Sequence, residues 1–261
     1  VFTPFLKAWL ARGIRGPAVG GDVTWTDGGI ATTSIPTAQP SSDLPKPGEQ
    51  AARARWEQFK ERDLTDYAGG RDQVGDDRTS RLSPYLKWGV LHPRTLHAEL
   101  DRSEGARVFR SELVWRDFYA DVLHHHPSSA RADLTGALRG MTYDEPGPLF
   151  EAWKAGRTGY PIVDAGMRQL LATGWMHNRV RMITASFLTK DLHVWWRHGA
   201  KHFMEHLVDG DLASNQHGWQ WVAGTGTDAS PYFRVFNPVT QGLRFDPSGA
   251  FVQRWVPELR G

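Results

Sequence analysis

The chain has no cysteine among its 261 residues, which excludes a disulfide framework and any thiolate metal centre. It has no apolar run near the roughly 20 residues that span a bilayer. The opening Val1 to Leu10 lacks the charged start and long apolar centre of a secretory leader. A protein of the cytoplasm with no membrane partner is expected. Strand-like alternation is nearly absent. Only Phe245 to Phe251, around Pro247-Ser248-Gly249, could turn back on itself as a strand pair. An excess of one charge is also missing: 31 Lys and Arg stand against 29 Asp and Glu, a net +2. Total charge therefore announces no nucleic-acid partner, and any such case depends on where the basic residues sit. There is no internal repeat and no G-x-S-x-G nucleophile elbow.

What the chain has instead is tryptophan. There are 12, six of them between Trp153 and Trp221. Each indole buries a large aromatic surface, so the set is a big core, a stacking site for planar ligands, or a series of redox-active rings. Residues 13 to 48 are rich in Gly, Pro, Ser and Thr and read as an extended connection. Helix formers take over from Glu49 to Arg62, where Trp56 and Phe59 lie three apart. Ser83-Pro84 opens another helix, with Ser as N-cap and Pro at the first helical position. Leu113, Val114, Phe118 and Val122 form a helical stripe, and Pro161 begins a helix through Leu171. A turn at Thr173-Gly174 leads to a helix from Trp175 to Lys190, and further helices lie near His193 to Leu207 and Leu212 to Val222. The division expected is a connecting segment at 1–48 and an all-α domain at 49–261.

Several constellations carry chemistry. Thr79 to Ser83 offers hydroxyls and backbone N–H groups at a helix start, which would suit a pyrophosphate, though Ser-Pro alone reads as plain capping. Asp209 and Asp211 sit two apart in a turn before a helix, where capping is expected of Asp211. Glu112, Trp115 and Tyr119 share one helix face by spacing, as do Trp175, Asn178 and Met182. Taken alone, Glu112 reads as the i,i+4 partner of Arg116. The His124-His125-His126 run invites a metal reading, but consecutive helical residues point apart, and no metal is expected.

Four segments in order then carry a resemblance: Thr79-Ser80-Arg81-Leu82-Ser83-Pro84-Tyr85-Leu86, Glu112 to Tyr119, Thr173 to Arg179, and Asp209 to Pro238 with Trp219-Gln220-Trp221, Gly226-Thr227-Asp228 and Phe236-Asn237-Pro238. They are similar to the photolyase/cryptochrome family over nearly the whole chain, closest to its class I cyclobutane pyrimidine dimer members. The resemblance implies the helical FAD-binding catalytic domain. The preceding α/β antenna domain, whose pigment is unknown, and the closing helices of the family lie outside the chain.

It further implies a site. Tyr67, Thr79, Ser80, Arg81, Leu82 and Ser83 would cradle the FAD diphosphate. Asp209, Gly210 and Asp211 would approach the flavin ring with Arg181 paired to Asp209, Asn215 would face flavin N5, and Arg116 and Trp175 would line the pocket. Glu112, Asn178, Met182, Trp115 and Trp221 would receive a dimer flipped out of ultraviolet-damaged duplex DNA. Tyr119, Arg179, Gln241 and Arg244 would add DNA contacts. Trp219, Trp196 and Tyr143 match the family's photoreduction chain, with Tyr143 where Trp is usual; Trp195 and Trp153 are the alternatives there. The activity implied is light-driven repair, in which reduced anionic FAD passes an electron to the dimer, by a monomeric bacterial enzyme at the nucleoid. A cryptochrome receptor without repair and a cofactor-free helical nucleic-acid module are the rival readings.

Overall fold

A computed structural model describes residues 1–26, 28–29, 31–35, 37, 43–136, 138–227 and 235–260. Asp228, part of the Gly226-Thr227-Asp228 motif, lies outside them. The described residues fold as helices joined by turns, with no strand and one isolated bridge between Asp144 and Val194. The all-α expectation holds. Phe245 to Phe251 is not a strand pair: it joins two helices, because Asp246 accepts from the backbone N–H groups of Phe251 and Val252 and starts a new helix.

The helices are α1 (Phe2–Arg12), α2 (Glu49–Arg62), α3 (Tyr67–Gly70), α4 (Ser83–Lys87), α5 (Pro93–Ala98), α6 (Glu104–His125), α7 (Pro148–Lys154), α8 (Pro161–Thr173), α9 (Asn178–Ser186), α10 (Trp196–His206), α11 (Leu212–Ala223), α12 (Pro238–Phe245) and α13 (Ala250–Trp255). The segment expected to be a connection therefore opens with a helix. In α1, Phe2, Phe5 and Trp9 repeat at helical spacing and pack on α6, with Phe2 stacked on Trp115 at 3.7 Å and Trp9 Nε1 donating to Asp117. Two helix starts expected from the sequence also shift. Ser83 is the first residue of α4 and not its N-cap; Leu82 holds that place, with no side-chain cap bond. The helix expected from Trp175 begins at Asn178, because Gly174 in the left-handed region ends α8 and the ring of His177 caps α9 by accepting from Arg179 N–H.

Two apolar cores result. One gathers Trp153, Trp196, Trp219, Phe203 and Met176 between α7 and α11. The other gathers Trp56, Phe59, Phe109, Leu82 and Leu96 around α2 and the first turns of α6. The helix α6 belongs to the second core through Phe109 and Leu113, and it also packs along α11. Its long span lets its first half serve the second core while the helix packs on α11, which carries Trp219 of the first.

Close approach fixes two junctions. A Cβ on Gly105 would lie 1.7 Å from the Leu64 carbonyl oxygen, and one on Gly199 would lie 2.2 Å from the Trp219 ring. For Gly105→Ala, the helix-propensity gain of about 1 kcal/mol opposes an overlap with backbone that must move, typically costing about 1–3 kcal/mol or more. Overlap of this size with a carbonyl wins. Gly105→Ala is expected to lower stability by about 2 kcal/mol, read as a fall in the denaturation midpoint; an unchanged midpoint would contradict this packing.

Candidate active site

The face of α6 that carries Glu112, Trp115, Arg116 and Tyr119 looks across a cavity of about 380 Å³ at Asn178, Arg179, Arg181 and Met182 of α9. The loop Asp209-Gly210-Asp211 and the α11 residues Asn215, Trp219 and Trp221 complete its lining. The residues expected in one site on three separate segments thus meet in one cavity. The cause is local: period-3.6 spacing puts the α6 and α9 residues on the faces that oppose each other, and the α9 N-cap sets where its face begins.

Charge at the cavity is arranged in pairs. Arg181 Nη2 donates to Asp209 Oδ2 at 2.8 Å, and Arg181 Nε donates to the Met176 carbonyl. The expected Arg181–Asp209 pair is therefore formed. Asp209 is 7% exposed, and its second oxygen, Oδ1, is buried without a hydrogen-bond partner. Asp211 caps α11, its Oδ1 accepting from Ser214 N–H at 2.8 Å. Glu112 is held by Arg71 Nη1 at 2.6 Å, while Arg116 Nη2 turns to the Leu86 carbonyl. The i,i+4 alternative for Glu112 is not the arrangement found. Arg179 makes a two-point contact with Asp72 and lies 4.4 Å from the Phe245 ring. Arg244 covers the same ring at 5.1 Å, so Arg179 and Arg244 share one rim, with Gln241 on the same helix α12.

The Asn215 amide is fixed by its Nδ2, which donates to the Ala200 carbonyl at 3.0 Å and to Gln216 Oε1 at 2.9 Å. That leaves its oxygen as the acceptor of a cavity-lining group. Trp219 is buried at the cavity wall, 4.9 Å from Phe203 and 6.1 Å from Trp153 between ring centres. Trp196 is fully buried and donates to Asp133 at 2.7 Å. Tyr143 packs on His193, and burial, with Asp133 adding, pushes its phenol above the ordinary tyrosine range.

Other expected residues lie elsewhere. Trp175 is outside α9 and does not share a face with Asn178 and Met182. It lines a second depression of about 740 Å³ with Arg81, whose guanidinium covers its ring at 4.3 Å. Its Nε1 donates to Ser83 Oγ. Tyr67 is buried against Phe59 and Phe109, with Arg71 over its ring. The Thr79 and Ser80 carbonyls accept from Arg55, and the Thr79 hydroxyl is buried without a partner. Sequence reasoning missed Arg71, Asp72 and Phe203. Only Arg71 had a signal, its place four residues after Tyr67.

A family model described as the FAD binding domain of DNA photolyase matches residues 109–261. The chain belongs to the DNA photolyase family. It is 47% identical to the deoxyribodipyrimidine photo-lyase of Escherichia coli K12, across 100% of this chain and 58% of that protein. It is 45% identical to a Thermus thermophilus deoxyribodipyrimidine photo-lyase, across 99% of this chain and 61% of that one. Among solved structures, the class III photolyase of Agrobacterium tumefaciens matches with TM-score 0.89 and 40% identity, covering 99% of this chain and 57% of that one. A Synechocystis cryptochrome matches with TM-score 0.81 and 35% identity over 88% of this chain and 51% of that one. The chain thus spans about three-fifths of the length of its photolyase relatives. No helix among the described residues is long and apolar enough to cross a membrane.

One titration follows from the geometry at the start of α9. His177, 4% exposed, is driven down to about 4, first by burial and then by the nearby arginines, although Asp72 opposes the shift. Its folded value lies below the usual 6.5 of the unfolded chain. The unfolded state therefore binds the proton first as pH falls, and stability is lost between about 6.5 and 4. Stability at pH 7 should exceed that at pH 4.5 by on the order of 2–3 kcal/mol from this group, a contribution that His177→Asn removes. A His177 ring titrating near 6.5 by NMR would refute the assignment.

Proposed function

We propose that the cavity holds FAD and that the chain supplies the light-driven splitting of cyclobutane pyrimidine dimers, acting as a monomer on duplex DNA of the nucleoid. The observation that carries the reading is a single cavity lined both by Asp209 and Asn215 and by Glu112, Trp115 and Trp221. The unpartnered Asp209 Oδ1, at the cavity, fits the cofactor, and Thr79 Oγ1, which lines neither cavity, is also buried without a partner. A buried carboxylate oxygen calls for a donor such as a ring N–H or a ribityl hydroxyl, and a buried hydroxyl calls for a phosphate oxygen. Asp209, Gly210, Asp211 and Asn215 would hold the ring, with Arg181 keeping Asp209 in place and Arg116 beside it. Thr79 to Ser83 and Tyr67 would serve the phosphate end. Arg81 and Trp175 face the second depression, and they would reach that end by parting from each other. When bound and reduced, FAD supplies the photoexcited electron that opens the dimer.

The remaining roles belong to this chain's own groups. Glu112, oriented by Arg71, accepts from a pyrimidine N–H, and the Asn178 amide pairs with a second base edge. The Trp115 and Trp221 indoles make flat apolar walls, and the Met182 thioether fills the space beside them. Tyr119 lines the same wall. A dimer stacks and pairs poorly, so extruding it into this pocket costs less than extruding a normal base. Arg179, with Gln241 and Arg244 of α12, would contact phosphates, which position the duplex without reading sequence. Asn215 Oδ1 suits a ring N–H donor. Trp219, at the cavity wall, would take the first step of a relay that Trp196 and Tyr143 would continue. At Tyr143 the relay needs a proton to leave the phenol, which burial resists.

The chain loaded with FAD, reduced and given blue light should remove dimers from damaged duplex DNA, measured by chromatography of the digested DNA. Flavin uptake with no repair would leave the receptor reading standing, and no flavin uptake would leave the nucleic-acid module. Glu112→Gln should weaken binding of dimer-containing DNA roughly 10- to 100-fold, the scale of a lost hydrogen bond to a charged group, with little effect on undamaged DNA.

A further inference from the structure

Outside the cavity, α10 presents His202, Glu205 and His206 on one face, at positions i, i+3 and i+4. One ligand atom from each lies within 4.8 Å of the other two. The two imidazole rings are 4.3 Å apart. His206 Nδ1 faces the His202 carbonyl at 2.9 Å. With that nitrogen donating, the ring is fixed as the tautomer whose Nε2 lone pair is free, as in metal-binding histidines whose other N–H is held by a carbonyl. His202 is 7% exposed, yet its Nε2 is buried with no hydrogen-bond partner. A buried lone pair left unmatched calls for a ligand. Burial also pushes His202 down to about 4, so its ring is neutral and ready to coordinate at neutral pH.

We propose that His202, Glu205 and His206 form a binding site for a divalent transition-metal ion of the zinc class. Two imidazoles and one carboxylate suit Zn²⁺, Co²⁺ or Ni²⁺, and not Mg²⁺ or Ca²⁺, which take oxygen ligands. The carboxylate offsets part of the ion's charge, and water would fill the remaining positions. The neighbouring charged groups do not block it. Lys154 on α7 is ion-paired with Glu151 at 2.8 Å, and Lys201 stands 3.8 Å from Glu205. Coordination would pin the last turn of α10, from which the chain passes into the Asp209 loop. Nothing in this site depends on the cavity's ligand.

The test is calorimetric titration of the chelator-treated chain with Zn²⁺ alone, beside a melting curve with and without the ion. One saturable equivalent and a raised melting temperature are expected, with no response to Mg²⁺. His206→Asn, at an exposed position outside both cores, should weaken Zn²⁺ binding by roughly tenfold or more and abolish the melting shift, while leaving the metal-free melting temperature unchanged. Glu205→Gln is the second variant and should weaken binding if His206→Asn perturbs the fold. No saturable binding, or binding undiminished in both variants, as the His124-His125-His126 run would give, overturns the proposal.

Discussion

The cavity exists because Arg181 is tied at two points, to Asp209 and to the Met176 carbonyl. A nearly buried carboxylate is tolerable only with a charged, well-placed partner. The pair draws the loop before α11 against the first turns of α9, and that closure aligns Asn215 and Trp219 with Asn178 and Met182 around one space. Removing either partner would strand a buried charge, which is far costlier than losing a surface bridge. Arg181 Nη2 saturates only one Asp209 oxygen. The interaction that builds the cavity thus also leaves it an unsatisfied acceptor.

Around this tie the scaffold works through two cores, with α6 in the second and packed on α11 of the first. Trp56 and Phe59 anchor its first half, and α11 packs along it further on. Arg71, reaching Glu112 from the helix after Tyr67, links the second core directly to the cavity wall. The electrostatic partners of the site are therefore short-range and mutual: Arg71 with Glu112, Arg179 with Asp72, Arg181 with Asp209. Pairing of this kind keeps a region rich in arginine compatible with a nearly neutral chain.

The helical class, the α2 bounds and the meeting of Glu112, Asn178, Asn215 and Trp221 were legible in the sequence. The first two rest on periodicity and composition, and the third is what the resemblance of long, ordered motifs to the photolyase family implied. What was not legible has local causes. Trp175 reads as helical because its spacing to Asn178 and Met182 is right, but periodicity does not show that a histidine ring caps the helix at His177. Ser-Pro reads as a cap, yet α4 starts one residue earlier in its geometry, with Leu82 as N-cap. Arg71 and Asp72 reach partners far along the chain, and no short-range pattern announces such pairs. The site at His202 escaped because its case depends on an unpartnered nitrogen, which only packing reveals.

The contact between Trp219 and Gly199 has an evolutionary corollary. The indole rests where any side chain at position 199 would stand, so the two positions occupy a single volume. Substitutions there cannot be additive. A larger residue at 199 becomes acceptable only once 219 has shrunk, and a smaller residue at 219 leaves a void until 199 grows. The pair is free to drift in concert and is frozen when either member changes alone, so descendants of this sequence should inherit it as a unit.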